Sequence, residues 1–334
     1  MSKQVVTETV SDQEGGVRLD RWIKRRMPMT QGQVEKLLRT GQVRVDGSRA
    51  KSNTRLEAGM EVRLPPYDHS SDAARDHVYG APKRKVDERA LAYLRDLIIY
   101  EDDDMFALNK PASIAVQGGT GQGGYHIDGM LDALTDGEHR PRLVHRLDKD
   151  TSGLLIIAKH PSSAARLGQM FKGREMQKVY WAITVRAPHP RAGQLRSWMR
   201  KGTEPEDREK MVMGIHGDKA SKHAITDYVT ISTAGQKAAW VALRPETGRT
   251  HQLRFHMHEL GTSILGDKKY VTSREVPEGV GRGLHLHARA LVIPQKRGKD
   301  LVLQAPISGA MRETFDAMGF LESEAGRDPL EMFI

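Results

Sequence analysis

The sequence predicts an α+β protein of two folded parts, a small basic module followed by a larger domain rich in strands. Three observations carry this reading. Positive charge is concentrated ahead of residue 65, where apolar residues recur at helical spacing. A stretch containing Pro, Ser and Asp without periodicity follows. Beyond it, residues 176–300 read as strand after strand with few helical runs. At 334 residues the chain is long enough for two cores. Cysteine is absent, which excludes disulfides, thiolate nucleophiles and Cys-based zinc sites. No apolar run approaches the roughly 18 to 20 residues of a spanning helix, so no membrane association is expected. Residues 1–16 lack an apolar stretch and carry Glu8, Asp12 and Glu14; they read as a tail rather than a targeting peptide, and a cytoplasmic setting is expected.

The small module spans residues 17–65. Between Val17 and Leu64 there are 12 basic and five acidic residues, a net +7 out of +9 for the whole chain. Charge alone would also suit a solvated surface, but the segment has the order of a fold. Leu19, Trp22 and Ile23 share one helical face, and Pro28 interrupts that helix. Thr30 is placed to cap a second helix with Gln33 at the capping-box position; Val34, Leu37 and Leu38 form its stripe and Gly41 its stop. QVRVDGSRA alternates as a strand ending in an Asp46-Gly47 turn, and MEVRLPP supplies another strand. This order, carried by RLDRWI, QVEKLLRTGQVRVDG and AGMEVRL, resembles the S4 RNA-binding domain, an αL-type fold. The resemblance implies that Arg18, Arg21, Lys24, Arg25, Lys36 and Arg39 face structured RNA, binding phosphates with release of counterions.

Residues 66–90 read as a linker, 91–320 as a second domain, and 321–334 as an acidic tail on which no structure is placed. LIIYEDDDMFALNKP is two apolar runs around an acidic turn, hence a β-hairpin. A loop, QGGTGQGG, precedes a helix through Met130, Leu131 and Leu134. Then RLVHRL and LLIIAK, two strand-like runs, flank DKDTSG, in which Gly153 is suited to positive φ. Asp148 is thus expected at a strand end, held by a stiff turn and backed by a buried strand. On position alone, Asp148 or Asp150 serves equally well as a turn cap.

The wording around Asp148 says more. HRLDKDTSGLLIIAK resembles the signature of the RluA-type pseudouridine synthases, with EDDDMFALNKP upstream, then QKVYWAITV and TGRTHQLRFHMHELGTSILGDKKY in the family's order. The resemblance covers about residues 97–320, and AVQGGTG places it nearest the ribosomal large-subunit RluC branch. It implies a catalytic domain with a mixed, mostly antiparallel sheet and an isomerase of uridines in 23S ribosomal RNA. The base is flipped out, its glycosidic bond broken, and the base rejoined to ribose through C5. It places the catalytic carboxylate at Asp148, as nucleophile at C1′ or as a participant in deprotonation at C2′. A desolvated carboxylate needs a nearby cation, and the family pattern makes Arg254 its ion-pair partner. Residues 249–254, read as strand or loop, would put Arg249 on the other face, where it contacts RNA phosphate or supports the loop. Tyr180 is implied to pack on the target base and assist at C5, Leu253 to lie under the extruded base, and Arg146 to fill the gap it leaves.

Other readings fare less well. Gly119, Gly121 and Gly124 spell G-x-G-x-x-G after SIAVQ, but the downstream strands do not alternate with helices as a dinucleotide fold requires. His256/His258 and His285/His287 are H-x-H pairs, yet without Cys or an H-E-x-x-H word no metal is expected. A Ser152–His145–Asp148 triad lacks the nucleophile-elbow word. No cofactor is expected, nor DNA as a partner, and the chain is expected to be a monomer. The alternatives kept are the same chemistry on transfer RNA and a non-catalytic RNA-binding assembly protein.

Overall fold

A computed structural model describes residues 5–27, 29, 31–66, 87–118, 125–136, 138–271, 279–295 and 297–333. The chain forms two compact units, Met1–Lys85 and Val86–Ile334.

In the first unit, α1 (Leu19–Arg26) and α2 (Gln31–Arg39) pack beside a three-stranded antiparallel sheet of β1 (Val6–Thr9), β2 (Arg44–Val45) and β3 (Glu61–Leu64), with β3 central. Leu19, Trp22, Ile23 and Val34 are fully buried, as the helical spacing requires. The Asp46-Gly47 turn has φ of 46° and 71°, the two positive values of a type I′ turn. Gly41 takes φ 72° where α2 stops. The segment expected as a tail ahead of Val17 is not one throughout: Val6–Thr9 pairs with Leu64–Glu61. Pro28 and Thr30, read as helix break and cap, lie outside the described residues, as do 67–86 of the expected linker. Residues 88–90 belong to a helix whose cap is Asp87, which accepts from the Arg89 and Ala90 amides.

The second unit is built on α3 (Glu88–Leu97), β4 (Ile98–Glu101), β5 (Met105–Lys110), α4 (Ile127–Met130), β6 (Arg142–Leu143), β7 (Ser152–Ala158), α5 (Pro161–Gly173), β8 (Gln177–Val185), β9 (Ala192–Lys201), β10 (Met211–Met213), β11 (Lys222–Ala234), β12 (Ala238–Pro245), α6 (Gln252–Glu259), β13 (Leu286–Ile293), β14 (Leu301–Gln304) and α7 (Ala310–Met318). One sheet runs β10-β9-β11-β12-β8-β13-β7-β5-β4, with β14 beside β13 and β6 beside β7. It is mixed and mostly antiparallel: β7 and β13 run parallel, and the other described pairings are antiparallel. β4 and β5 form the expected hairpin.

Strand alternation divides the core. Trp181 and Trp240 point to one face, in edge contact at 4.6 Å, and Phe315 of α7 packs against both at 5.9 and 4.8 Å. Tyr180, Ala182, Val241 and Leu243 point to the other, against Leu253 and Met257 of α6. Beyond Phe320 the acidic stretch is structured, contrary to expectation. Ala325, Leu330, Met332 and Phe333 join the Trp240 cluster, and Glu322 pairs with Arg289 at 3.1 Å. Apolar residues spaced among the acids are what the charge count concealed.

Candidate active site

The site begins where the chain leaves the sheet. RLVHRL does not continue as a strand to Asp148; β6 ends at Leu143. β7 pairs with β6 at Ile157 and Ala158 and with β13 at Ser152 and Gly153. Between these partners the Ile156 amide would be open, and His145 Nε2 accepts it at 2.9 Å. A side chain thus substitutes for a ladder carbonyl, freeing residues 144–148 to peel away. Asp148 opens the following turn, its carbonyl accepting the Thr151 amide at 3.1 Å. Gly153 has φ 103°, and a β-carbon there would lie 2.4 Å from the Ala288 carbonyl oxygen, so the parallel pairing behind the turn requires glycine.

Lys110 anchors the same turn from beneath. Its ammonium, fully buried, donates to the carbonyls of Pro111, Ile114 and Lys149 at 2.8, 3.0 and 3.1 Å. Burial brings its pKa down to about 8, against the opposing pull of Asp150 and Asp148.

Asp148 looks into a cleft of about 300 Å³, also lined by Arg146, Lys178, Tyr180, Arg249, His251, Leu253 and Arg254. Its side chain is one-quarter exposed, within reach of a ligand. All six residues assigned from the sequence to the larger domain therefore meet in one cleft. Arg18, Arg21, Lys24, Arg25, Lys36 and Arg39 belong to the other unit. Five of them are exposed, while Arg18 is half-buried and chelates Asp20 at 3.1 and 2.6 Å.

The expected Arg254–Asp148 ion pair is not formed. Arg254 Nε and Nη2 donate to Asp267 at 2.7 and 2.6 Å, a bidentate pair in which both side chains are nearly dry. Burial disfavours the guanidinium charge, but Asp267, with a smaller contribution from Asp148, outweighs it and raises the pKa. Among the described residues, Asp148 has His251 as its nearest basic group, with Nε2 3.9 Å from Oδ2. His251 is left-handed, φ 52°, at the N-terminus of α6, and its Nδ1 lies 3.2 Å from the Tyr270 hydroxyl. Burial lowers the His251 pKa, with Asp148 opposing and Arg254 adding to the effect. If Tyr270 donates to Nδ1, the ring proton sits on Nε2 and faces the carboxylate.

The GRTHQLR segment was expected to be strand or loop. Gln252–Glu259 is instead a helix, and Arg249 and Arg254 line the same cleft rather than opposite faces. Arg249 Nε donates to the His223 carbonyl at 3.1 Å, fixing the rim. Tyr180 sits half-buried, and burial, then Asp148, pushes its phenol pKa well up, so the hydroxyl stays protonated.

The competing constellations are otherwise engaged. Ser152 bonds His287 at 2.9 Å, away from His145. His256 is held by Thr226 and Ser197, His258 by Ser263, and His285 by Leu265 and Thr314. Among the described residues no group of three or more His, Cys, Asp or Glu could hold a metal ion. No strand forms at SIAVQ, and Gly119, Gly121 and Gly124 lie outside the described residues.

Comparison with known proteins bears on this geometry. Residues 104–259 match the RNA pseudouridylate synthase family and 17–62 the S4 domain. Ribosomal large subunit pseudouridine synthase C of Rickettsia prowazekii is 36% identical over 293 residues, 87% of this chain and 93% of that protein. The protein of that name from Escherichia coli O6:H1 is 31% identical over 91% of this chain and 93% of its own. Human RNA pseudouridylate synthase domain containing 4 superposes with a TM-score of 0.57 at 27% identity, covering 70% of this chain and 97% of the human one. With a relative 36% identical along almost its whole length, this chain belongs to the RNA pseudouridine synthases, isomerases of RNA uridine, and carries an S4 domain ahead of the catalytic one.

Proposed function

We propose that the protein converts selected uridines of large-subunit ribosomal RNA to pseudouridine, with Asp148 as the catalytic carboxylate. The observation that carries this reading is the convergence of Asp148, Tyr180, Leu253 and Arg146 on one cleft. The reaction needs an oxygen nucleophile or base beside the ribose, in a site that keeps water from the detached uracil. Asp148 occupies that position by virtue of the peeled-off segment, the Lys110 anchor and the parallel strand pair behind it. Tyr180 offers a ring face to the uracil, and its neutral hydroxyl is suited to passing the C5 proton onward rather than to holding charge. Leu253, nearly buried on α6, packs beneath the extruded base. Arg146 is exposed at the rim, placed to enter the vacated stack.

The S4 domain supplies affinity through Arg21, Lys24, Arg25, Lys36 and Arg39, with Arg18 partly committed to Asp20. The stretch between the two units tethers them. We place the reaction in the cytoplasm, where ribosomal RNA is assembled in bacteria, and take the enzyme to act as a monomer.

Mapping pseudouridine in total RNA, by a base-specific adduct and primer extension with and without this gene, tests the reading. Loss of one or more large-subunit sites is expected. An unchanged ribosomal map with altered transfer-RNA sites would move the substrate, and no change at all would refute it.

A further inference from the structure

Lys178 is a cation in the cleft without a counterpart. It precedes Tyr180 by two positions on β8, so both side chains share the face that lines the cleft. The ammonium reaches the loop after β12, since a β-carbon on Gly248 would lie 3.7 Å from Nζ. Among the described residues it has neither a hydrogen bond nor an ion pair. Asp148 lines the same cleft but does not pair with it. His145 is a neutral ring whose pKa falls to about 3 through burial and then Lys178 itself. Arg174, at the left-handed C-cap of α5, is close enough to oppose the Lys178 charge, which burial already disfavours.

A partly desolvated ammonium with no acceptor is costly. Such an arrangement is relieved by a ligand that brings negative charge. A uracil carbonyl would satisfy one hydrogen bond but bring no charge, whereas a phosphodiester supplies both an acceptor and one negative charge.

We propose that Lys178 forms a seat for the phosphodiester next to the extruded uridine, and that this contact selects which nucleotide of the strand enters the cleft. The proposal rests on the reading of the cleft as a uridine site. Lys178 then acts as a binding and register-setting residue on the substrate backbone, distinct from the groups that act on the glycosidic bond.

Binding of a large-subunit ribosomal RNA transcript is measured against salt with Asp148→Asn protein, with and without Lys178→Met. Each lost phosphate contact lowers the log–log salt slope by about 0.7 to 0.9, and Lys178→Met is expected to do so. In active protein, Lys178→Met should raise KM about tenfold or more with a smaller change in kcat, and Lys178→Arg should restore most of it. A synthetic stem-loop spanning the mapped uridine, with a methylphosphonate at one flanking linkage, supplies the decisive arm. Wild type should lose on it what Lys178→Met loses on normal RNA, and the variant should lose nothing further. An unchanged salt slope, or losses that add for every flanking linkage, would overturn the phosphate seat and leave a carbonyl contact or none. If wild-type protein forms no pseudouridine in the transcript, the proposed function itself fails; if it does and Lys178→Met behaves as wild type, only the seat fails.

Discussion

His145 accepts the backbone amide of Ile156 at 2.9 Å, in the gap where β7 passes from one strand partner to another. The same ring stacks on Phe171 with centroids 4.2 Å apart. This one contact allows residues 144–148 to leave the sheet without stranding a buried donor, and so carries Asp148 into the cleft. Replacing it by leucine keeps the bulk and removes the acceptor. We expect His145→Leu to cost about 1 to 3 kcal/mol in urea unfolding and to lower kcat more than it raises KM.

Acid should unfold the protein through its buried histidines. Burial, the largest cause in each case, holds His256 and His287 near a pKa of about 4 and His145 near about 3. An unfolded histidine takes up its proton near 6.5, so between that pH and the folded value the unfolded state binds more protons and stability falls as pH falls. The effect across that window is about 3 kcal/mol for His256 and for His287, and about 5 kcal/mol for His145. His287→Gln, which keeps hydrogen-bonding capacity but does not titrate, is expected to flatten the stability–pH curve between about pH 6.5 and 4. A curve of unchanged steepness would contradict this.

The bidentate Arg254–Asp267 pair is a structural support of the cleft wall. Asp267 also accepts the amides of Lys269 and Tyr270 at 2.8 and 3.0 Å. Removing one partner of a buried pair leaves the other charged and unsatisfied. Asp267→Asn and Arg254→Met should each destabilise by about 3 to 5 kcal/mol in denaturant titrations.

Much of this architecture was legible in the sequence because its signals are local. Alternation and turn chemistry marked the β4–β5 hairpin, β7 and the Asp46-Gly47 turn. Helical spacing marked α1 and α2. What escaped depends on distant partners. β1 is a short alternating run until Glu61–Leu64 lies beside it. Residues 252–257 of α6 are all buried, so no polar face betrays its helical period. Choosing Arg254 as the partner of Asp148 failed because Asp267, 13 residues on, is the nearer acid once the chain folds. His251, Lys110 and Lys178 lie within the segments that carry the family resemblance, but only folding sets Lys110 beneath the Asp148 turn and brings His251 and Lys178 into the cleft with Tyr180.

Lys110 should declare itself at alkaline pH. Its folded pKa of about 8 lies below the unfolded value of 10.5, so between these the folded state has shed a proton that the unfolded state keeps. Stability attributable to this group therefore rises with pH from about 8 toward 10.5, by roughly 3 kcal/mol in all. The comparison with Lys110→Met, over pH 8 to 9 and so below the ordinary tyrosine pKa of about 10, isolates it. The variant should lack the rise and should also turn over more slowly, since the Lys149 carbonyl beside Asp148 loses its donor.

The account stands on Asp148. Purified wild-type and Asp148→Asn proteins are compared in single-turnover pseudouridine formation on the RNA that wild type modifies, with RNA binding and thermal unfolding measured in parallel. We expect the variant to fold and bind as wild type does while its rate falls by at least about a thousandfold, within the range for loss of an essential catalytic group. Pseudouridine formation by Asp148→Asn at a rate near that of wild type would contradict the assignment and remove the basis for the mechanism.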